Sequence, residues 1–596
     1  MRSVSDLLNA SDVVSLMRGH VLAAGGKPSV IMVADPGKED GAQSLSYAEL
    51  DERAREIAVW LLRRQEPGGR VLLLYPTGLN FVAAFFGCLY AGMVAVTAPM
   101  PGGYRHNRRR VAAIAADCGA STVLTDRAHL PEVREWAEHQ NLTGLVLRTT
   151  DEGGLGDADE WRTPELGRDT IALLQYTSGS TDTPKGVMVT HGNLLRNVES
   201  YGAVYGFDES TRSGAWIPLY HDMGLMGQLL PPLFFGGACV LMASTLFVKR
   251  PYLWLRLIDD YDVHWSAAPN FAYERCVQQV TDEELARLDL SRWRFAHNGS
   301  EPVNAATLRA FAERFAPAGL REETLIPCYG LAEATLFVSG GVSGAQAQRV
   351  DPDLLERHRF VPVLPDAPGR EIAGCGPVHD FDVRIVDPDS GRVLSEGEVG
   401  EIWLRGESVA AGYWHNEEAT RATFGAVTAD GEGGFLRTGD RGVLHRGELY
   451  VTGRIKETII MYGRNLYPHD IEQELRAQHP ELGSVGAVFT VPVPTTDGAG
   501  VEEMLVVTHE IDKRPEPEVM RRIARDMKQT VSREFGVGVA EVALLRRGGV
   551  QRTTSGKIQR LAMRRLFLDA ELGALYQDEN PRLRAALSRT AAEASR

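Results

Sequence analysis

Through roughly the first 450 positions, short apolar runs alternate with longer amphipathic stretches, the pattern of strands alternating with helices in an α/β domain with largely parallel sheets. Val71-Leu-Leu-Leu-Tyr75 and Val94-Ala-Val-Thr-Ala98 read as strands, with a helix over residues 80–91 between them. No charged residue occurs from Val71 to Tyr104, a length that would cross a membrane. Pro76, Gly78, Gly87, Gly92 and Pro99 cut it into pieces, so a buried βαβ unit is expected and a membrane span is not. A helix over residues 110–118 and the strand Ser121-Thr-Val-Leu-Thr125 continue the alternation. From Phe381 the texture changes to short strands between Gly- and Asp-rich turns: Phe381-Asp-Val-Arg-Ile-Val386, Glu401-Ile-Trp-Leu-Arg405 and Glu448-Leu-Tyr-Val-Thr452. These predict an antiparallel, barrel-like subdomain. After Gly453-Arg-Ile-Lys-Glu457 a third region combines strands such as Leu505-Val-Val-Thr508 with a helix over residues 518–535. The Arg- and Ala-rich tail beyond Asn580 reads as a solvated or frayed helix. The fold class is therefore α/β: a large N-terminal domain of several subdomains over residues 1–455, then a small α+β C-terminal domain over 456–596.

With 596 residues, 44% of them hydrophobic and 24% charged, the chain has the composition of a globular protein with a sizeable core. A net charge of −15 argues against a nucleic acid polymer as partner. Six cysteines with no C-x-x-C pair point to free thiols in a reducing compartment. The start of the chain shows no apolar signal region, so a cytoplasmic location is expected.

Most of the candidate chemistry lies in Tyr176-Thr-Ser-Gly-Ser-Thr-Asp-Thr-Pro-Lys-Gly186. Between a predicted strand at Ile171–Leu174 and apolar Val187–Val189, this run offers hydroxyl donors, backbone N–H groups and one cation. A polyphosphate needs those groups. The spacing is not that of a Walker A loop. The same composition also makes an ordinary surface turn.

The run resembles the phosphate loop of the adenylate-forming superfamily, which includes acyl-CoA synthetases, luciferases and peptide-synthetase adenylation domains. It departs from that pattern at Asp182, where the superfamily has glycine. The resemblance implies that Thr177, Ser178, Gly179, Ser180, Thr181 and Lys185 bind ATP. Tyr329-Gly-Leu-Ala-Glu-Ala-Thr335 is similar to a second family segment; it implies nucleotide contacts at Tyr329 and Gly330, and a Mg2+ held by Glu333 with Thr177. Asn298, Gly299 and Ser300 resemble the segment bordering the adenine, Asp440 and Arg454 the ribose-binding pair, and His221 a position beside the acyl carboxylate. Gln551-Arg-Thr-Thr-Ser-Gly-Lys-Ile558 resembles the C-terminal motif whose lysine, here Lys557, bridges carboxylate and α-phosphate oxygens during adenylation. Lys456 matches the hinge about which the family's C-terminal domain rotates.

Within the superfamily the chain resembles the fatty acyl-AMP ligases. Pro218-Leu-Tyr-His-Asp-Met-Gly-Leu225, Pro327-Cys-Tyr-Gly330 and an extra segment at about residues 346–374 carry that likeness. In those ligases the insertion keeps the C-terminal domain from a CoA-using pose; here it is expected to dock on the large domain through apolar contacts, with a short helix capped by Asp351. The resemblance implies ATP-dependent activation of a fatty acid to acyl-adenylate with release of pyrophosphate. Transfer to the phosphopantetheine arm of an acyl carrier protein follows, as in polyketide or lipopeptide biosynthesis. No carrier segment follows in the sequence, so the carrier is expected in trans. Met223, Leu225, Met226, Leu229 and Phe271 are candidates for an acyl tunnel, or for ordinary core. Two alternatives stay open: a fatty acyl-CoA synthetase, and a catalytically impaired nucleotide-binding relative, raised by Asp182.

Overall fold

The computed structural model describes residues 9–37, 41–102, 105–142, 144–177, 184–342, 344–461, 464–494, 501–512, 514–553 and 556–594. They fall into two compact units. The larger comprises residues 1–349, 371–438 and 442–451, and the smaller 350–370, 439–441 and 452–596.

The larger unit is built on two sheets. One has six strands in the order Val146–Thr149, Thr122–Thr125, Arg70–Leu73, Val94–Thr97, Ile171–Thr177, Lys185–Thr190. All pairings are parallel except the last, which is antiparallel and joins Tyr176 to Gly186. The uncharged stretch forms the expected βαβ unit, with helix Leu79–Tyr90 between two parallel strands that pair Leu72 with Val96. Among the described residues no helix is long and apolar enough to cross a membrane. The second sheet runs Phe337–Gly340, Leu325–Gly330, Phe295–Asn298, Trp265–Ala268, Arg212–Ala215, Ala238–Met242, Pro28–Val33, Ala42–Ser46. Its six inner strands are parallel and its two edge strands antiparallel. Parallel strands buried on both faces are apolar throughout, as Ala238–Met242 is. From Asp382 onward a further sheet takes the order Asp382–Val386, Gly400–Arg405, Leu436–His445, Glu448–Arg454, and its first pair is antiparallel.

The smaller unit holds a four-stranded sheet in the order Leu482–Pro494, Val501–Ile511, Val539–Arg546, Tyr576–Asp578. Period-2 alternation sends successive residues to opposite faces. Val488, Leu505, Val507, Val542 and Leu544 pack with helices Pro468–Gln478 and Pro517–Phe535. Phe489, Val491, Val506 and Leu545 pack instead with Met563 and Phe567 of helix Arg560–Leu568 and with Leu583. The tail is thus not simply solvated. Helix Pro581–Ala594 buries Leu583 and anchors Arg582 to Glu502 and Arg584 to Glu541.

Segment 350–370 belongs to the smaller unit. Pro352–Glu356 is the expected short helix, with Asp351 Oδ1 accepting from Leu354 N–H at 3.0 Å. Its contacts within the smaller unit include ion pairs and hydrogen bonds. Arg464 grips Glu356 through two N–H···O bonds of 2.6 and 2.8 Å, Arg370 meets Asp470 at 2.8 Å, and Arg441 meets His358. Phe360 is buried, whereas Leu364 is 77% exposed.

Candidate active site

In an open parallel sheet, ligands gather at the carboxyl ends of the strands. In the larger unit those ends carry most of the predicted residues. Strand Ile171–Thr177 delivers Thr177, and the antiparallel strand Lys185–Thr190 returns with Lys185 at its start. Ser178, Gly179, Ser180, Thr181 and Asp182 lie outside the described residues. The pair is close-set at its root: a Cβ on Gly186 would lie 2.9 Å from Tyr176 Cζ. Tyr176 hydroxyl donates to Asp117 Oδ2 at 2.5 Å, and burial pushes its pKa up.

Three ends of the second sheet add their own segments. After Arg212–Ala215, residues 216–221 lead to His221, which is half-buried and caps the short helix Asp222–Gly224. Gln175, two residues before Thr177, donates to Tyr220 O at 2.9 Å and ties this segment to strand Ile171–Thr177. Strand Phe295–Asn298 ends in Asn298, which is fully buried and donates through Nδ2 to Asn270 Oδ1 at 3.1 Å. A Cβ on the following Gly299 would sit 2.8 Å from Cys328 Sγ and 2.9 Å from Cys328 O. Ser300 turns away with a left-handed φ of 72°. Strand Leu325–Gly330 ends at Tyr329 and Gly330, and a short turn, Ala332–Ala334, then presents Glu333. This turn leaves no room at its root: a Cβ on Gly330 would lie 1.9 Å from Leu336 O. Thr335 closes it at φ 65°, ψ −64°, with Leu336 N–H on Ala334 O at 2.8 Å and its own hydroxyl on Ser408 O at 2.7 Å. A β-branched residue at positive φ is strained, so the surrounding bonds hold the Glu333 turn in one geometry.

Segment 410–414 brings the two sheets' contributions together. It runs beside strand Lys185–Thr190, with Trp414 N–H on Gly186 O at 2.8 Å and Ala411 N–H on Met188 O at 3.0 Å. Ala410 N–H donates to Glu333 O at 2.9 Å. Tyr413 hydroxyl donates to Glu333 Oε1 at 2.8 Å, and Lys185 Nζ stands 5.0 Å from the centroid of the same ring. Lys185 and Glu333, one predicted for phosphate and one for metal, thus share a single tyrosine.

Among the described residues no group of three or more Asp, Glu, His or Cys is placed to hold a metal. Glu333 offers a single carboxylate, which fits Mg2+, an ion that keeps several waters and takes one or two carboxylates together with phosphate oxygens.

The profile of AMP-binding enzymes matches residues 22–414. The chain belongs to the AMP-binding enzyme family. It is similar to the AMP-binding enzyme named medium-chain-fatty-acid–[acyl-carrier-protein] ligase JamA of Moorena producens, with 42% identity over 550 residues, covering 90% of this chain and 91% of the relative. The 4-hydroxyphenylalkanoate adenylyltransferase of Mycobacterium tuberculosis is 36% identical over 552 residues, covering 89% of this chain and 88% of its own. The solved fatty acid AMP ligase of Legionella pneumophila superposes with a TM-score of 0.74 at 34% identity, over 96% of this chain and 99% of the other.

The smaller unit of this AMP-binding enzyme carries the remaining predicted residues. Asp440, buried, and Arg454, exposed, form an ion pair at 3.1 Å. Lys456 lies exposed in the single turn Ile455–Glu457. Lys557 sits on a tight hairpin: Arg552 bridges Ile558, Thr553 N–H donates to Lys557 O at 2.7 Å, and Gly556 has a φ of 91°. Arg560, three residues on, is gripped by Glu472 at 2.6 and 2.8 Å and by Glu457 at 2.6 Å. Burial alone would lower its pKa, but the two carboxylates raise it.

The tunnel candidates divide between two apolar clusters. Leu225, Met226 and Leu229 pack into one apolar core, and Met223 with Phe271 into another beside Trp216 and Phe247. A π-helical turn over Leu225–Leu229 carries the first set. Tyr413 and Arg560 were not signalled by the sequence. Each works through a partner at least 80 positions away, and no local pattern marks it.

Proposed function

We propose that this AMP-binding enzyme activates a fatty acid at the expense of ATP and passes the acyl group to a carrier protein. A fatty-acid carboxylate oxygen attacks the α-phosphorus, and the bond to the bridging oxygen of the β-phosphate breaks. Acyl-adenylate forms and pyrophosphate leaves. The thiol of a phosphopantetheine arm then attacks the acyl carbonyl. Its sulfur forms the new thioester, AMP departs with the C–O electron pair, and the thiol proton goes to solvent. The observation that carries this reading is the Lys185–Tyr413–Glu333 cluster at the strand ends, a cation and a carboxylate held together where a polyphosphate would need both. Similarity to JamA, named as a fatty-acid–[acyl-carrier-protein] ligase, supports the choice of acid and acceptor.

In this reading Lys185 and the hydroxyls of the 177–181 loop bind the phosphates, and Asn298, Gly299, Ser300, Tyr329 and Gly330 border the nucleotide. Asp440 and Arg454 take the ribose, and His221 faces the acyl carboxylate. Glu333, with Thr177, would hold Mg2+, which neutralises phosphate charge when bound. Lys557 is supplied by the smaller unit during adenylation and withdrawn for transfer by a turn about Lys456. Six free cysteines fit a reducing, cytoplasmic setting.

The test is product identification by mass after incubation with ATP, Mg2+ and a series of fatty acids. The same mixtures are run with CoA and with a phosphopantetheinylated carrier protein. Acyl-AMP with pyrophosphate, and acyl-carrier with little acyl-CoA, is the expected outcome. Substantial acyl-CoA assigns the chain to the synthetases, and no pyrophosphate assigns it to non-catalytic nucleotide binders.

A further inference from the structure

Tyr413 is 7% exposed and built into its place. Its N–H donates to Thr420 Oγ1 at 2.9 Å, its ring packs edge-on against Phe424 at 5.1 Å, and its backbone bridges Val187, two residues after Lys185. The preceding Gly412 has a φ of 129°, and a Cβ there would lie 2.5 Å from Thr420 Cγ2. From this fixed base the side chain does two separate things. Its π-face lies under the Lys185 ammonium, and its hydroxyl donates to Glu333 Oε1. A hydrogen bond to a carboxylate is charge-assisted and directional. It holds the Glu333 carboxylate in a set orientation. Filling core space would need only the ring, and the hydroxyl reaching a carboxylate at 2.8 Å is not explained by packing.

We propose that Tyr413 is a positioning residue for the adenylation step: its hydroxyl orients Glu333 toward the metal, and its ring seats Lys185 against the nucleotide phosphates. The proposal rests on the reading that Glu333 and Lys185 serve metal and ATP. The two parts separate by substitution. Tyr413→Phe keeps the ring and the seat for Lys185 and loses the hydroxyl. Tyr413→Leu loses both.

The test uses the full chain with α,β-methylene-ATP and Mn2+ as a spectroscopic probe, bound metal being counted by electron paramagnetic resonance. Nucleotide affinity is measured separately at saturating Mg2+. Partners that orient metal ligands are worth roughly 10–100-fold in affinity, so Tyr413→Phe should weaken Mn2+ binding about 10-fold. Its nucleotide affinity at saturating metal should stay within about 2-fold of wild type, because the ring remains. Tyr413→Leu should weaken the metal equally and the nucleotide by a further ~3–10-fold, the scale of a partly desolvated cation–π contact. Glu333→Gln is the control. Unchanged Mn2+ binding in Glu333→Gln would overturn the metal-site reading itself. Weakened binding in Glu333→Gln with wild-type binding in Tyr413→Phe would overturn the role of Tyr413 alone. Equal nucleotide affinity in Tyr413→Phe and Tyr413→Leu would overturn the seating of Lys185.

Discussion

Removing Arg560 should unfold the smaller unit before the larger one. The guanidinium is only 11% exposed, and Glu472, its bidentate partner, is 3% exposed. Arg560→Ala would leave the buried Glu472 without its guanidinium, with the Val488 N–H still donating to it at 2.9 Å, and would also remove the partner of Glu457. Stranding one member of a buried ion pair costs about 3–5 kcal/mol. A domain of this size is stabilised by only ~5–15 kcal/mol, so the variant should stand near its limit. All nine tryptophans occur between Trp60 and Trp414, in the larger unit, so their fluorescence in urea reports that unit. Hydrogen exchange of helix Pro468–Gln478 and strand Val501–Ile511 reports the smaller one. The expected result is a fall of about 3–5 kcal/mol in the exchange-derived stability, with the fluorescence midpoint unmoved. Arg560→Met combined with Glu472→Met should recover part of the loss, because the deeply buried Glu472 carboxylate is no longer stranded. Protection unchanged to within about 1 kcal/mol in Arg560→Ala would refute the reasoning, as would a double variant worse than the single.

Other consequences are as specific. Lys557→Ala should slow acyl-adenylate formation by roughly 10²–10³ while sparing transfer from preformed acyl-adenylate; equal losses in the two half-reactions, measured by pyrophosphate release and by acyl-carrier formation, would rule out a lysine that serves adenylation alone. Gly330→Ala drives a Cβ onto Leu336 O, so it should cost about 1–3 kcal/mol and weaken metal binding through the displaced Glu333 turn; metal affinity and melting temperature both at wild-type values would count against it. Burial lowers the pKa values of His297 to about 3 and of His191 and His509 to about 4. These histidines stay neutral when folded and gain protons when unfolded below a pKa of about 6.5, so their contribution is present above pH 6.5 and is lost as pH falls. Below that pH each adds a slope approaching ~1.4 kcal/mol per pH unit, two of them in the larger unit, and His297→Asn should flatten the fluorescence-detected slope by that amount.

What could be read from the sequence follows the range of the interaction. The βαβ unit at residues 70–97 is local: Pro76, Gly78 and Gly92 interrupt an apolar run, and strands with a helix are what remain. The capping box of helix His191–Tyr205, with Thr190 and Asn193 bonding reciprocally, is local as well. Met223 and Leu225 enter different apolar clusters because side chains two positions apart on a helical turn do not face the same way. The tail misled because Arg and Ala dominate it, while Leu583, with Ala586 and Leu587 beside it, packs into the core. Glu356 and Arg370 of segment 350–370 meet Arg464 and Asp470 roughly a hundred positions on, and no local pattern marks those pairs. Tyr413 is one of 17 tyrosines, and only the fold sets it beside Glu333.

The contacts of Arg560 also bear on how a two-step ligase would use Lys557. Glu457 follows Lys456 directly and sits in the same single turn. Arg560 follows Lys557 by three residues and clamps Glu457 and Glu472 at once. The proposed hinge and the lysine hairpin are thereby joined at one buried guanidinium, although about a hundred residues of chain separate them. A rotation about Lys456 that kept these pairs would carry Lys557 as part of a rigid body, with no independent motion of its loop. The φ/ψ change would then fall on Arg454, Ile455 and Lys456, before the clamp begins. Glu457→Gln tests this, because it weakens one arm of the clamp and leaves the bidentate pair with Glu472 that supports folding. Exchange protection of helix Arg560–Leu568 should stay near wild type while adenylation slows more than transfer, since only adenylation needs Lys557 delivered in register. Equal slowing of both half-reactions, or none, would mean that the clamp supports the fold without guiding the lysine.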